Sequence, residues 1–296
     1  MTERFPYRPA REVPDQREFE ARLHACPGGP WTVTHSKTLA NDNQVIRLRW
    51  LMPQQRWCDV PTFLAFLDES PHRKLLRCFV LHARRPLWSF EALLKQIGPG
   101  VSPMALETAL QFAERQGFVV AHHQRRRWSR GPQLEHVLNF GATFEWIVQA
   151  HLQQVAHAVA RRGVVLKELQ EQQLGDLDIL AFTDDGLVIT VECKSSTSRI
   201  TNEHLARYLQ RARAFPADIA LLLIDTDKEE QITSRIEQLN VGAQYELGDR
   251  YLPNSSVVYR IMGNLYIANT GGSIATALEA ALHLATTWKH TREPAG

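Results

Sequence analysis

Only four of the 296 residues are cysteine, Cys26, Cys58, Cys78 and Cys193. No two stand at the close spacing of a zinc clip, and four are too few for the disulfide framework of a small secreted domain. Long hydrophobic runs are equally scarce. The longest, Ile219 to Ile224, is far short of the about 20 residues that a membrane-spanning helix needs. The first residues, MTERFPYR, are charged and have no apolar stretch, which argues against a secretory signal. There is no internal repeat and no low-complexity tract. These absences predict a soluble, reduced, cytoplasmic protein with no membrane partner. With 44% hydrophobic and 22% charged residues, the chain has enough apolar surface to offset the entropy of ordering, and its length suits two domains.

Net charge is small, +2, but unevenly spread. Residues 1–140 carry 20 Lys and Arg against 13 Asp and Glu, whereas residues 141–296 carry 14 against 19. A basic half joined to an acidic half suits a chain in which one part approaches a polyanion and the other concentrates carboxylates. Chance alone produces such a difference in many chains.

Residues 1–70 read as an N-terminal region without an assignable fold. Two extended stretches, Trp31 to Thr34 and Gln44 to Trp50, suggest a small hairpin, and Val60 to Leu67 a short helix. Residues 71–131 are more regular. Leu75, Leu76, Phe79 and Val80 lie at helical spacing. Ser89 stands as N-cap to a helix over Phe90–Ile97, and Ser102-Pro103 opens another that runs to about Gln116, with Leu106, Leu110 and Ala113 inward. A strand at Phe118–Ala121 and the basic stretch Arg125-Arg126-Arg127-Trp128 complete a winged helix-turn-helix pattern. In such a domain the third helix enters a major groove and the Arg-rich wing lies on phosphates. A helical subdomain used for packing is the plainer interpretation. Trp128 either stacks on a base or anchors the wing.

Residues 132–296 alternate helix and strand, which predicts an α/β sheet with helices on both faces. A long helix is expected over Leu134–Ala160, its inner stripe formed by Val137, Gly141, Phe144, Val148, Leu152, Val155 and Val159, with Glu145 on the edge of that stripe. Strands follow at Val164–Leu169, Asp176–Phe182 and Leu187–Cys193. A helix over Asn202–Ala214 leads to a strand at Asp218–Ile224. A hairpin over Val257–Ala268 and a helix from Ser273 close the chain.

The chemistry concentrates in residues 175–194, GDLDILAFTDDGLVITVECK. A three-residue loop, Asp184-Asp185-Gly186, commonly takes a type I turn followed by a left-handed residue, and glycine fits that place. Such a loop pairs Thr183 with Leu187. Asp178 then opposes Glu192 and Asp176 opposes Lys194, with directly opposed Cβ atoms about 5 Å apart. Two facing carboxylates beside a buried layer repel each other unless they share a cation. A hard divalent ion with oxygen ligands, Mg²⁺ or Mn²⁺, suits the pair. Lys194 shares their face, within reach of a phosphate or water at that ion. An edge-of-sheet salt-bridge cluster is the plainer alternative. Arg207 and Arg211, one helical turn apart, are candidates for a phosphate clamp or for a solvated helix face.

This segment resembles the PD-(D/E)xK nuclease superfamily, whose mark is an acidic residue on one strand and Glu-x-Lys on the next: here Asp178 and Glu192-Cys193-Lys194. Gly141-Ala-Thr-Phe-Glu145 is similar to the Gly-x-x-Phe-Glu helix start of Mrr-type restriction enzymes and of nuclease domains in CRISPR-associated sensors. The resemblance covers about residues 135–230; Leu177 replaces the proline of the motif name. It implies a restriction-endonuclease-like mixed sheet flanked by helices, Mg²⁺-dependent hydrolysis of phosphodiester bonds, Asp178 and Glu192 on the metal, Glu145 as a further acidic ligand, and Lys194 beside the attacking water. The expectation is therefore an endonuclease acting on DNA in defence or restriction. The winged helix would precede the nuclease domain, with Arg125, Arg126, Arg127, Arg207 and Arg211 on the nucleic acid and a homodimer for duplex cutting. The alternatives are a non-catalytic DNA-binding protein with a nuclease-like assembly domain, and an RNA-cleaving effector.

Overall fold

The structure is a computed structural model describing residues 16–27, 31–37, 60–82, 87–98, 100–122, 126–135, 137, 140–167, 173–238, 246–247 and 256–292. Its elements are α1 (Gln16–His24), β1 (Thr32–Lys37), α2 (Val60–Asp68), α3 (Ser70–Leu81), β2 (Trp88–Ser89), α4 (Phe90–Ile97), α5 (Pro103–Arg115), β3 (Val119–His122), β4 (Arg127–Arg130), α6 (Gly141–Val155), β5 (Val159–Lys167), β6 (Gln173–Phe182), β7 (Val188–Lys194), α7 (Asn202–Ala214), β8 (Ile219–Ile224), α8 (Glu229–Gln238), β9 (Glu246–Leu247), β10 (Val258–Met262), β11 (Leu265–Asn269) and α9 (Ile274–Arg292). They form two compact units, residues 1–38 with 148–296, and residues 39–147.

This division differs from the expected 1–70, 71–131 and 132–296. The first unit is discontinuous because β1 pairs antiparallel with β5, Thr32 opposite Lys167. The expected partner of β1, Gln44 to Trp50, lies outside the described residues. Phe19 and Leu23 of α1 and the neighbouring Trp31 are buried with Val164, Leu166, Leu177 and Phe182 of the sheet. Arg22 ties α1 to the β6–β7 turn through the Thr183 carbonyl at 2.6 Å.

The sheet of this unit is mixed, in the order β1-β5-β6-β7-β8-β11-β10-β9. Strands β5, β6 and β7 form an antiparallel run, β5 with β6 and β6 with β7. Strand β8 is parallel to β7 on one side and to β11 on the other. All six residues of β8 are buried, which is why that strand reads as a continuous apolar run. Ala220, Leu222 and Ile224 form one core with Leu205, Tyr208 and Ala212 of α7 and Ile232 of α8. Helix α9 packs along β8, β10 and β11.

The long helix expected over Leu134–Ala160 is shorter at both ends. A single 3₁₀ turn occupies Pro132–Leu134, and Val159 and Ala160 belong to β5. His157 has a positive φ of 48°, which ends helical continuation. Val159 is buried in either geometry, so its apolar character alone could not separate the two.

In the other unit, Ser89 Oγ accepts from the Ala92 N–H at 3.2 Å and Ser102 Oγ from the Ala105 N–H at 3.1 Å. These are the caps of α4 and α5 that the sequence predicts. Strand β2 adds a third strand beyond the expected hairpin, giving the order β2-β4-β3. The buried Arg73 guanidinium satisfies the last carbonyls of α2, donating to Leu67 at 2.8 Å and Asp68 at 2.5 Å. That answers the exposed negative end of the helix.

Candidate active site

The β6–β7 turn closes as the glycine placement suggests. Gly186 has φ +86°. The Thr183 N–H donates to the Leu187 carbonyl at 3.0 Å, and the Gly186 N–H to the Thr183 carbonyl at 3.1 Å. The ladder then runs from Phe182 opposite Val188 to Ile179 opposite Val191. The paired ladder ends there; continued, its register would set Asp178 opposite Glu192 and Asp176 opposite Lys194. There the side chain takes over, with Asp178 Oδ2 accepting the backbone N–H of Cys193 at 2.7 Å. A carboxylate held by a strand N–H is fixed in place before any ligand arrives.

Glu192 lies between two cations. Its Oε1 accepts from Lys194 Nζ at 2.5 Å and its Oε2 from Arg211 Nη2 at 2.5 Å. Lys194 Nζ also stands 3.9 Å from Asp178 Oδ2. The side chains are 12% exposed for Glu192 and 17% for each of Asp178, Lys194 and Arg211. Two carboxylates and two cations give a formally neutral, mostly buried group, the condition under which charges are tolerated away from water. Burial works to lower the Lys194 pKa, but the Glu192 and Asp178 carboxylates outweigh it, and the ammonium titrates above the usual lysine value of 10.5.

Helix α7 is docked beside this group by Tyr208, whose hydroxyl approaches the carbonyls of Ala220 at 2.6 Å and Tyr266 at 3.1 Å. Burial, reinforced by the Glu192 charge, drives the Tyr208 pKa upward, so the phenol stays protonated. Arg211 stands three residues further along α7, which brings it to the same side of the helix.

The structure thus gathers Asp178, Glu192, Lys194 and Arg211. Arg211, a candidate phosphate ligand in the sequence, faces the Glu192 carboxylate. Arg207 is exposed and stands 3.7 Å from Glu203 on its own helix. Glu145 is half-buried on α6 in the other unit. Among the described residues no group of three or more His, Cys, Asp or Glu is placed to hold a metal ion. The expected three-carboxylate set is therefore not assembled among them, and the Asp178–Glu192 pair is what the strands offer. Both carboxylates are oxygen donors of the kind a divalent cation takes, and the Lys194 ammonium, 2.5 Å from Glu192 and 3.9 Å from Asp178, places positive charge beside them.

In the smaller unit, Arg126 and Arg127 are exposed at the β3–β4 turn, and Arg125 lies outside the described residues. The Arg126 guanidinium sits 5.7 Å from the centre of the Phe90 ring. Trp128 pairs across strands with Trp88 and tilts against Phe90 at 6.1 Å, so its ring packs on β2 and α4. The outer face of α5 presents Met104, Glu107, Thr108, Gln111 and Arg115.

No protein-family model matches the chain, and no curated protein matches it. Among solved structures the chain is similar to the refined half-complex from a tetradecameric assembly of Thermococcus gammatolerans McrB AAA+ hexamers with bound McrC, at 12% identity and a TM-score of 0.29. The match covers 93% of this chain and 64% of that one. A likeness this slight defines neither fold nor activity.

Proposed function

We propose that the chain is a divalent-metal-dependent endonuclease that hydrolyses phosphodiester bonds in DNA. One observation carries the reading: Asp178 and Glu192, on adjacent strands, share one ammonium, Lys194, at 3.9 Å and 2.5 Å. The antiparallel β6–β7 pair, followed by α7 and the parallel β8, supports the restriction-endonuclease-like reading of the sheet. Asp178 and Glu192 would hold Mg²⁺ or Mn²⁺, which supplies a water of lowered pKa and charge stabilisation at phosphorus. Asp178 is held in place by the Cys193 N–H. Lys194 places a fixed positive charge beside the scissile phosphate and orients the attacking water.

The order α3, β2, α4, α5, β3, β4 supports the winged-helix reading of the smaller unit. It lets the outer face of α5 meet a groove while Arg126 and Arg127 meet phosphates. Cutting both strands of a duplex calls for two sites, hence a homodimer. The setting in defence or restriction rests on the likeness to Mrr-type and CRISPR-linked nuclease domains. Incubation of the protein with duplex plasmid, single-stranded DNA and RNA, each with Mg²⁺, tests the substrate. Cleavage of duplex DNA ahead of RNA is expected. Cleavage of RNA alone would make the chain an RNA-cutting effector. One observation favours a non-catalytic, DNA-binding reading: Glu192 is paired with two cations of the chain's own. That reading wins if none of the three substrates is cut.

A further inference from the structure

Glu192 is the carboxylate on which the two chemistries of the site converge. A divalent ion needs its oxygens, yet Arg211 holds Oε2 and Lys194 holds Oε1, each at 2.5 Å. Lys194 is anchored on the same strand two residues away and also faces Asp178 at 3.9 Å. Arg211 comes from a different element, at the end of a long side chain on the last turn of α7. Of the two cations, it is the one that can leave without disturbing the strand.

We infer that Arg211 is the resident counter-ion of the site: it occupies Glu192 in the ion-free chain, competes with the divalent cation for that carboxylate, and on displacement is free to take a nucleic-acid phosphate. The inference rests on the nuclease reading and deepens it. It makes the charges of the site self-neutralising. It also predicts reciprocal coupling, since whatever draws Arg211 away from Glu192 favours metal by the same factor that metal favours its release. Guanidinium pairs with phosphate as readily as with carboxylate, so a substrate phosphate is a suitable second partner.

Mn²⁺ titration of the full chain by calorimetry, without nucleic acid, tests this on Arg211→Gln and Arg211→Lys. Removing the competing charge in Arg211→Gln should tighten Mn²⁺ binding by at least about fivefold, the lower end of ordinary coupling strengths. Arg211→Lys should stay near the parent. A purely structural Arg211 would leave affinity unchanged or weaken it in Arg211→Gln, and either result overturns the inference. Should Arg211→Gln fail to fold, side-chain ¹⁵N spectra of the parent decide. The guanidinium resonance that is missing from Arg211→Lys must shift on saturation with Mg²⁺, and a resonance that stays put overturns the inference. If the parent binds Mn²⁺ and Arg211→Gln binds no tighter, this inference alone falls. If neither binds Mn²⁺, the nuclease reading falls and the inference with it.

Discussion

Lys194 Nζ stands 2.5 Å from Glu192 and 3.9 Å from Asp178. Lys194→Ala leaves Asp178 and Glu192 in place, so Mn²⁺ should still bind and DNA should still dock. Turnover should fall by about 10²-fold or more, the scale of losing one transition-state stabiliser. Lys194→Arg should restore little, because a planar fork does not replace a compact ammonium at one point. Single-turnover nicking paired with Mn²⁺ calorimetry separates the two effects, and parental turnover in Lys194→Ala would remove the residue from the chemistry. The charge also predicts a pH signature. A lysine whose folded pKa is raised contributes stability that is fully present below its unfolded value of 10.5 and is lost as pH rises through the higher folded value. Denaturation of parent and Lys194→Met should therefore differ by a constant amount from pH 6 to 9, the gap narrowing only above about pH 10.5. A gap that closes between pH 6 and 9 would mean that the ammonium is not held as described. Asp178, Glu192 and Lys194 were legible in the sequence because strand parity and a three-residue loop fix which side chains share a face. The role of Arg211 was not legible. Whether α7 turns that arginine toward the sheet depends on the docking of Tyr208 against two backbone carbonyls, a tertiary fact that helical spacing does not contain.

Two glycines separate conformational from steric demand among the elements. Gly186 has φ +86° with open space where a Cβ would go, so Gly186→Ala should cost about 1 kcal/mol, the left-handed penalty alone. A Cβ on Gly131 would stand 2.2 Å from the Gly117 carbonyl oxygen and 2.7 Å from the Phe118 carbonyl carbon. Those are backbone atoms, held by the Gly131 N–H bond to the Phe118 carbonyl at 2.8 Å. Gly131→Ala should therefore cost about 2 kcal/mol or more, as overpacking does where neighbours cannot yield. Chemical denaturation of both variants checks the order, and an equal loss would refute the steric account. The capped helices α4 and α5 and the helix α7 were legible from Ser89, Ser102 and the run of apolar positions, since caps are local chemistry. The end of α6 and the start of β5 were not. Val155 and Val159 suit a helical stripe, and only the backbone at His157 and the pairing with β6 assign Val159 to a strand.

At the scale of the whole molecule, the chain returns on itself: residues 1–38 complete a unit whose remainder begins at Val148. No local pattern in Trp31–Thr34 names β5, more than a hundred residues away, as its partner, and nearness along the chain favours Gln44–Trp50 instead. Phe19, Leu23 and Trp31 are 2%, 1% and 2% exposed, and each such side chain is worth about 2 kcal/mol of burial. Removing residues 1–38 should therefore expose the core beside β5 and β6 and cost the unit its cooperative melt. A truncated chain that melts like the parent would show the N-terminal segment to be dispensable. The basic wing carries a separate prediction. Changing Arg125, Arg126 and Arg127 together to Ala should weaken DNA binding and reduce its salt slope by up to about three counterions, with Mn²⁺ affinity at Glu192 unaltered. An unchanged slope would take the wing out of the interface. The most direct test of the central claim is a plasmid-nicking time course on the parent and on Asp178→Ala, each with Mg²⁺ and with EDTA. The proposed site predicts nicking by the parent with Mg²⁺, and none with EDTA or in the variant. Parental nicking in Asp178→Ala, or no nicking by the parent with Mg²⁺, would contradict it.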